Sequence, residues 1–159
     1  MRIGHGFDVH AFTEGDFIIL GGVKIPHRYS FKAHSDGDVL LHALCDSLLG
    51  AISQGDIGRH FPDDDMQYKN INSMELLKNV YDKININNFE IINIDTIIVC
   101  QEPKMSPHIE KMKKNISSSL GNIKTEQISI KATTTEGLGY TGRGEGIASY
   151  SVVLLNKAV

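Results

Sequence analysis

One carboxylate and two imidazoles in the first third of the chain have the residue types of a metal site. Asp8 and His10 lie two residues apart in a stretch, residues 1–10, where apolar residues alternate with small or polar ones. Such alternation is typical of a β-strand, in which residues two apart share a face. His42 belongs to a later helical pattern. If strand and helix pack together, the three side chains resemble a catalytic zinc site, which has three protein ligands and an open fourth position.

The helical pattern around His42 places one carboxylate a turn away on either side, Asp38 and Asp46. Side chains four residues apart are neighbours on a helix, so both carboxylates are candidates to orient a metal-bound His42 by hydrogen bonds. Taken alone, the residues favour two simpler arrangements over a metal site. One is a hydrogen-bonded Asp8–His10 pair without a metal, and the other is a surface histidine with two acidic partners.

A second group of residues, later in the chain, suits phosphate. The run Thr133-Thr134-Thr135-Glu136 precedes a glycine-rich stretch, and hydroxyls and backbone N–H groups at a strand end are the donors that phosphate oxygens need. Glu136 suits a magnesium ion whose other ligands are water and phosphate oxygens. Lys104 offers a further positive charge. The run fits a threonine-rich strand end and a turn as well.

Strands and helices that alternate along the chain must position these residues. Strands are predicted at 1–10, at 17–20 and 23–25 around the turn Gly21-Gly22, and at 89–101, 127–132 and 147–155, with residues 26–33 as a loop. Helices are predicted after His34, from residue 72 or 73 to about 84, and from residue 107 to 120, with N-caps at Ser35 or Asp36, at Asn72 or Ser73, and at Ser106. His34 and Ser35 at a helix start suit an anion. The fold class is α/β (α+β): one domain, residues 1–159, with a mixed β-sheet and helices packed on one face.

Composition excludes some classes of protein. A net charge of −3 argues against a sequence-independent nucleic-acid binder, which needs a basic surface. No apolar run approaches the roughly 20 residues of a membrane helix. Two distant cysteines, Cys45 and Cys100, fit a reducing compartment. The first residues show no secretory or transit-like leader, so we expect a cytoplasmic location if the chain is bacterial, and a plastid-type organelle if a leader has been removed.

Four motifs, in order along essentially the whole chain, closely resemble one enzyme family. It is the family of 2-C-methyl-D-erythritol 2,4-cyclodiphosphate synthases of the non-mevalonate isoprenoid pathway. The motifs are Gly4-His5-Gly6-Phe7-Asp8-Val9-His10, His34-Ser35-Asp36-Gly37-Asp38, Gly55-Asp56-Ile57-Gly58 with Phe61-Pro62-Asp63-Asp64-Asp65, and Ala132-Thr133-Thr134-Thr135-Glu136.

The resemblance implies an activity and its cofactors. The 2-phosphate of 4-diphosphocytidyl-2-C-methyl-D-erythritol 2-phosphate would attack the β-phosphorus of the same molecule, giving the cyclodiphosphate and CMP. It also implies a homotrimer with three active sites between neighbouring subunits. Asp8, His10 and His42 match zinc ligands, and Glu136 matches the residue that binds magnesium or manganese.

The resemblance further implies which residues contact substrate, Asp8, Val9, His10 and Glu136 among them. Residues matching the part that holds the methylerythritol phosphate are His34, Ser35, Asp56, Ile57, Gly58, Phe61, Pro62, Asp63, Asp64 and Asp65. Residues matching the cradle of the cytidine diphosphate are Cys100, Gln101, Glu102, Pro103, Lys104, Met105, Ser106, Thr133, Thr134 and Thr135. His34 and Thr134 match positions credited with transition-state stabilisation, Tyr140 and Arg143 match further contacts, and Phe7, Arg143 and Glu145 resemble positions near an axial cavity for isoprenoid diphosphates.

Three residues depart from the family's commoner pattern. Cys100 and Glu102 stand where smaller or neutral residues are frequent, and Tyr140 stands where phenylalanine is common. Glu102 would bring a carboxylate near a phosphate pocket. Two other functions remain open: a zinc phosphohydrolase of nucleotide diphosphates, and a non-catalytic trimer that binds isoprenoid diphosphates in a cavity ringed by Arg143.

Overall fold

A computed structural model describes residues 1–62 and 71–158. Its strands are β1 (Arg2–Glu14), β2 (Phe17–Leu20), β3 (Val23–Pro26), β4 (Tyr29–Phe31), β5 (Phe89–Val99), β6 (Ile128–Thr133) and β7 (Gly146–Lys157). Its helices are α1 (Val39–Ala51), α2 (Ile57–His60), α3 (Ser73–Ile86), α4 (Ile109–Ser119) and α5 (Gly139–Gly142), with a 3-10 turn at Thr125–Gln127. None of the helices in these two ranges is long and apolar enough to span a membrane.

Five strands form one sheet in the order β4-β1-β7-β5-β6, and β2 and β3 pair separately. β5 and β6 are parallel, whereas β1 with β4, β1 with β7, and β5 with β7 are antiparallel. The predicted mixed sheet is therefore confirmed. β7 lies at its centre, with β1 on one side and β5 on the other.

The three long helices cover one face of this sheet. α1 packs against β1 and β7, α3 packs against α1 and β5, and α4 packs against α3 and β6. The apolar stripes of these helices form the core together with inward residues of the sheet, because burying such faces drives the layers together. The fully buried larger members include Leu40, Leu41, Leu44, Leu48, Leu49, Leu77, Ile84, Ile94 and Ile98.

Small residues on β1 bring α1 unusually close to the sheet. A Cβ atom on Gly4 would lie 1.7 Å from the backbone oxygen of Ser47, and one on Gly6 would lie 2.0 Å from that of Ala43. These two glycines alternate with exposed residues, so they share the face that carries Asp8. Any larger residue at either position would push the helix away from the strand.

The predicted hairpin and helix ends are partly confirmed. Gly21 and Gly22, at φ 56° and 68°, form the two-residue turn between β2 and β3, and positive φ at both positions is the reason that glycine suits them. Asn72 caps α3, as expected. Gly121, at φ 70°, follows Leu120, the C-cap of α4, and ends the helix.

Other predicted boundaries were wrong. The N-cap of α1 is Asp38 rather than Ser35 or Asp36, so the helix begins at Val39. α4 begins at Ile109 with His108 as its N-cap, two residues later than the predicted start at Pro107 with Ser106 as N-cap. Residues 26–33, predicted to be a loop, contain β4, which lengthens the sheet edge beside β1.

Candidate active site

The structure brings together the carboxylate and both imidazoles that the sequence singled out. Asp8 Oδ2 lies 3.2 Å from His10 Nε2 and 3.0 Å from His42 Nδ1. The two ring nitrogens lie 3.3 Å apart. The strand places Asp8 and His10 on one face, and the close approach of α1 carries His42 to them. Among the described residues, this is the group of His, Cys, Asp and Glu side chains that could hold a metal ion.

The size of this triangle fits a cation. At zinc–ligand distances of roughly 2.0–2.2 Å, two ligand atoms of a tetrahedral site lie about 3.3–3.6 Å apart. The three observed separations, 3.0, 3.2 and 3.3 Å, are at or slightly below that edge length. Two nitrogens and one carboxylate oxygen are also a donor set that zinc accepts, with the fourth position open.

Hydrogen bonds on the far side of each ring fix which nitrogen faces the cluster. His10 Nδ1 lies 3.3 Å from the carbonyl oxygen of Lys32, and a carbonyl only accepts, so Nδ1 carries the proton there. His42 Nε2 lies 3.0 Å from Ser73 Oγ. In each ring, the other nitrogen points at Asp8.

The carboxylates expected to orient His42 do something else. Asp38 is fully buried and accepts hydrogen bonds from the backbone N–H groups of Gly21, Gly22 and Leu41, at 2.8–3.1 Å. It therefore caps α1 and fastens the β2–β3 turn to it. Asp46 Oδ1 accepts from the backbone N–H of Ile57 at 2.8 Å. The expectation was wrong because both carboxylates accept hydrogen bonds from backbone N–H groups, and His42 is hydrogen-bonded to Asp8 and Ser73 instead.

The cluster is electrostatically prepared for positive charge. Burial alone would raise the pKa of Asp8, but hydrogen bonds and charges from His10 and His42 lower it to about 2. Burial lowers the pKa of His42, whereas the hydrogen bond to Asp8 and nearby carboxylates raise it, and the net shift is upward. A proton on Nδ1, donated to Asp8, accounts for that shift. A cation at the cluster would take the place of that proton.

A cavity of about 290 Å³ lies beyond the ends of β5 and β6. It is lined by residues of both segments expected to cradle a cytidine diphosphate, namely Cys100, Gln101, Pro103, Lys104, Met105, Ser106, Ala132, Thr133 and Thr134. β5 and β6 are parallel, so their carboxyl ends meet at one edge of the sheet. Ligands commonly bind at such an edge.

Two departures from the family pattern have structural explanations. Glu102 is not among the residues that line this cavity; its carboxylate faces Arg28 at 3.4 Å instead. Cys100 does line the cavity, but its thiol is largely buried and lies 3.7 Å from the carbonyl oxygen of Pro103. Burial raises the pKa of this thiol to about 11, so it stays protonated and neutral at neutral pH.

Glu136 lies in the turn that follows β6. Its backbone is in the left-handed region, at φ 53°. Thr134 Oγ1 donates to Glu136 Oε1 at 3.0 Å and accepts from the Glu136 backbone N–H at 3.2 Å. Thr135 Oγ1 lies 3.0 Å from Thr141 Oγ1, which ties the turn to α5. The exposed carboxylate is thereby held beside the nucleotide-sized cavity.

The described residues expected to hold the methylerythritol phosphate lie in the loop before α1 and in or beside α2. His34 is exposed and Ser35 Oγ accepts from the backbone N–H of Gly37 at 3.2 Å, just before α1. Asp56 caps α2 through the N–H of Arg59 at 3.0 Å. The remaining members are Ile57 and Gly58 in α2, buried Phe61 and half-buried Pro62, whereas Asp63, Asp64 and Asp65 lie outside the described residues.

Arg143 lines a separate, smaller cavity, and Tyr140 lies three residues before it in the chain. Tyr140 is in α5 and is 40% exposed. Arg143 Nε donates to Glu145 Oε1 at 2.6 Å. Arg143 and Glu102 both line this cavity of about 150 Å³, together with Phe12, His27, Arg28, Tyr29, Gln101, Gly142, Gly144 and Gly146. Phe7 lies on the open face of the sheet and contacts Tyr150, with ring centroids 4.8 Å apart.

A mixed sheet with helices on one face and a cluster of three side chains that could hold a metal ion fit a metal-dependent enzyme. The chain belongs to the YgbB family, whose model matches residues 1–156. Curated relatives carry the name 2-C-methyl-D-erythritol 2,4-cyclodiphosphate synthase. One, from Azotobacter vinelandii, is 58% identical over 155 residues, 98% of this chain and 98% of its own length.

Solved structures of proteins named IspF or IspDF have a similar fold. The bifunctional IspDF of Campylobacter jejuni matches with a TM-score of 0.91 and 50% identity over 97% of this chain, which spans 42% of that longer protein. IspF from Plasmodium falciparum, solved as a CDP complex, matches with a TM-score of 0.87 and 37% identity, covering 99% of this chain and 97% of its own.

Proposed function

We propose that this chain cyclises 4-diphosphocytidyl-2-C-methyl-D-erythritol 2-phosphate to 2-C-methyl-D-erythritol 2,4-cyclodiphosphate and releases CMP. The observation that carries the proposal is the cluster of Asp8, His10 and His42, whose ligand atoms lie 3.0–3.3 Å apart. Relatives 54–58% identical over nearly the whole chain are named for this reaction.

We assign zinc to the cluster and magnesium or manganese to Glu136. Two imidazole nitrogens and one carboxylate oxygen suit zinc, whereas a single exposed carboxylate beside a phosphate site suits a hard cation that keeps oxygen ligands. Bound cations supply positive charge that neutralises the phosphates as charge moves onto the leaving oxygen. Asp8, His10 and His42 hold the zinc, and the turn from Thr134 holds the Glu136 carboxylate.

Substrate binding divides between two regions. The cavity formed by residues 100–106, without the Glu102 carboxylate, and Thr133–Thr134 takes the cytidine diphosphate end, with Lys104 adding a positive charge. Residues 34–35, 56–58 and 61–65 take the methylerythritol phosphate, and Tyr140 and Arg143 make further contacts. His34 and Thr134 donate to the phosphates in the transition state.

The chain's task in this reaction is to position groups rather than to abstract a proton. The 2-phosphate is an anion at neutral pH, so it needs no strong base. Its oxygen forms a bond to the β-phosphorus, the bond from that phosphorus to the bridging oxygen breaks, and CMP leaves with that oxygen. Gripping both ends of the substrate lowers the entropic cost of ring closure, an effect worth up to roughly 7–11 kcal/mol in well-oriented cases.

We propose that the working form is a homotrimer whose sites lie between subunits. Across the sheet, Val9 of β1 pairs with Ala148 of β7, Ala148 pairs with Val99 of β5, and Val99 pairs with Thr133 of β6. Three strand spacings of about 4.8 Å separate the metal cluster from Thr133 by roughly 14 Å within one chain. Metal ions that share one substrate's phosphates lie much closer together, about 3.5–4 Å in two-metal sites. A second copy that supplies the other half resolves this separation.

The open face of the sheet offers a surface for that assembly. Side chains of β1 and β7 on the face opposite α1 are apolar and exposed, including Phe7 at 41%, Tyr150 at 40% and Val152 at 43%. Contiguous apolar surface of this kind is typical of protein interfaces. An isoprenoid diphosphate between subunits, near Phe7, Arg143 and Glu145, belongs to the same proposal.

Phosphorus NMR of the products tests the proposed function. The cytidyl substrate is incubated with magnesium and zinc in ¹⁸O-labelled water, with the wild type, His42→Ala and a control, His108→Ala. We expect cyclodiphosphate without solvent oxygen from the wild type and the control, and no turnover and no bound zinc with His42→Ala. Solvent ¹⁸O in the product would show a hydrolase instead, binding without CMP release would show a carrier, and full activity of metal-free enzyme would refute the zinc assignment.

A further inference from the structure

We propose that Ser73 and Asp36 position His42 for metal binding, an inference that rests on the proposed metal site and deepens it. Ser73 is the first residue of α3, and Asp36 lies in the loop before α1. They are 31 and 6 positions away from His42 in the chain. A hydrogen-bonded line nevertheless runs from His42 Nε2 to Ser73 Oγ, at 3.0 Å, and from that hydroxyl to Asp36 Oδ1.

The direction of each hydrogen bond in this line is fixed by the positions of the protons. The Ser73 hydroxyl donates its one proton to Asp36, which leaves its oxygen to accept from His42. Nε2 of His42 must therefore carry a proton and donate it. Nδ1 is the nitrogen that lies in the cluster, and once a cation replaces the proton that it donates to Asp8, its lone pair is available to that cation.

Asp36 prevents the Ser73 hydroxyl from turning away. Its Oδ2 accepts from the Ser73 backbone N–H at 3.0 Å, so the carboxylate holds backbone and side chain of the same residue. Its Oδ1 accepts from the Asp38 backbone N–H at 3.3 Å. Ser73 is 1% exposed, so water cannot readily replace its hydroxyl as partner of the ring. One carboxylate thus joins the starts of α1 and α3 behind the metal ligand.

The arrangement is specific to His42. His10 reaches a backbone carbonyl, that of Lys32, and no side-chain substitution removes it. Partners that fix the ring of a metal-bound histidine typically contribute 10–100-fold to metal affinity. Removal of the Ser73 hydroxyl should therefore weaken metal binding through His42 alone, and the His10 hydrogen bond serves as an internal reference.

Cobalt substitution separates positioning from general destabilisation. The full-length protein is loaded with Co²⁺, and proton NMR in water and in D₂O detects the shifted, exchangeable N–H signals of metal-bound imidazoles. Chelator competition measures the zinc affinity of the same variants. The variants are Ser73→Ala, Ser73→Thr, which retains a hydroxyl, and Asp36→Asn. The control is Ser47→Ala, which removes another buried hydroxyl, from α1, that bonds Leu44 and Ser151.

The wild type and Ser47→Ala should show two such signals, one from His10 and one from His42. In Ser73→Ala the His42 signal should be lost to fast exchange while the His10 signal remains, with zinc affinity 10–100-fold lower. Asp36→Asn should lower the affinity less, and Ser73→Thr should restore it. Two unchanged signals in Ser73→Ala, or an equal loss of affinity in Ser47→Ala, would overturn the positioning role and leave the metal site standing. No shifted imidazole signal in the wild type would overturn the metal site itself.

Discussion

At the scale of single residues, the two metal-cluster histidines differ in what holds the nitrogen that faces away from the cluster. His10 donates to the backbone of Lys32, whereas His42 relies on Ser73. Motif spacing identified the three converging side chains but neither of these partners. A hydrogen bond to a backbone carbonyl does not depend on residue type, so the sequence cannot indicate it. Ser73 has the pattern of an ordinary helix start, and its contact with His42 exists only because α1 and α3 pack together.

Glu136→Gln tests the second cation site. The amide keeps the size and one acceptor oxygen but removes the charge, so we expect the magnesium concentration that gives half-maximal rate to rise at least tenfold. Bound zinc should remain at the wild-type level. Glu126→Gln, in the exposed 3-10 turn, is the matched control. A magnesium titration that superimposes on the wild type's would count against this role.

At the scale of secondary-structure elements, the sequence predicted the strands and helices that carry the site. It did so because alternation and helical periodicity are local signals. The boundaries near the site were harder. Asp38 caps α1 and also binds the Gly21-Gly22 turn. That contact joins residues 16–17 positions apart, so helix-capping patterns, which depend on neighbouring residues, do not predict it. Glu102 was expected beside phosphate, but its carboxylate faces Arg28, which lies in the connection between β3 and β4.

Gly6→Ala tests whether close helix–strand packing builds the cluster. The added Cβ would meet the Ala43 backbone at 2.0 Å, so α1 must move away from β1 and carry His42 with it. We expect a loss of about 1–3 kcal/mol in the free energy of unfolding, by urea titration, and weaker zinc binding. Gly50→Ala, in the same helix, has nothing within 4 Å of its new Cβ and should gain up to about 1 kcal/mol. Unchanged zinc affinity in Gly6→Ala would contradict the packing argument.

Asp38 predicts a pH dependence of stability. Burial is the main reason that its pKa rises from 3.8 to about 6; the charge of Asp36 adds to the rise, and the hydrogen bonds from Gly22, Leu41 and Gly21 oppose it. A carboxyl with a raised folded-state pKa favours folding fully below its unfolded pKa of 3.8, and that contribution is lost as pH rises through about 6.

Urea unfolding of metal-free protein between pH 4 and pH 8 measures this contribution. The wild type should gain stability relative to Asp38→Asn as pH falls from 7 to 4, by roughly 1–3 kcal/mol. The difference between the two proteins isolates Asp38 from the other carboxyl groups, Asp8 among them. A difference that stays constant with pH would show that Asp38 titrates alike in the folded and unfolded chain.

At the scale of the whole molecule, the two parts of the proposed site lie on different parts of the sheet within one chain. The metal cluster lies on β1 and α1, and the nucleotide-sized cavity lies across the sheet at the ends of β5 and β6. The exposed apolar face of β1 and β7 provides the surface on which copies can meet. Assembly is thus part of the proposed active site. Local sequence patterns do not predict it.

Val152→Lys tests the assembly. A lysine in the centre of the open face would place a charge in the interface, so we expect dissociation to monomers by sedimentation equilibrium and loss of turnover, with the monomer's metal cluster intact. Ile86→Lys is the matched control, because Ile86 is also apolar and 78% exposed but lies at the end of α3. A wild type that sediments as a monomer with full activity would refute the shared site.

Anomalous diffraction at the zinc absorption edge, from crystals grown with zinc, would locate the proposed zinc ion. We expect one strong peak about 2 Å from Asp8 Oδ2, His10 Nε2 and His42 Nδ1, with its fourth side facing the nucleotide cavity of a neighbouring copy. A peak at other residues, or density showing those three side chains turned apart with no ion between them, would contradict it.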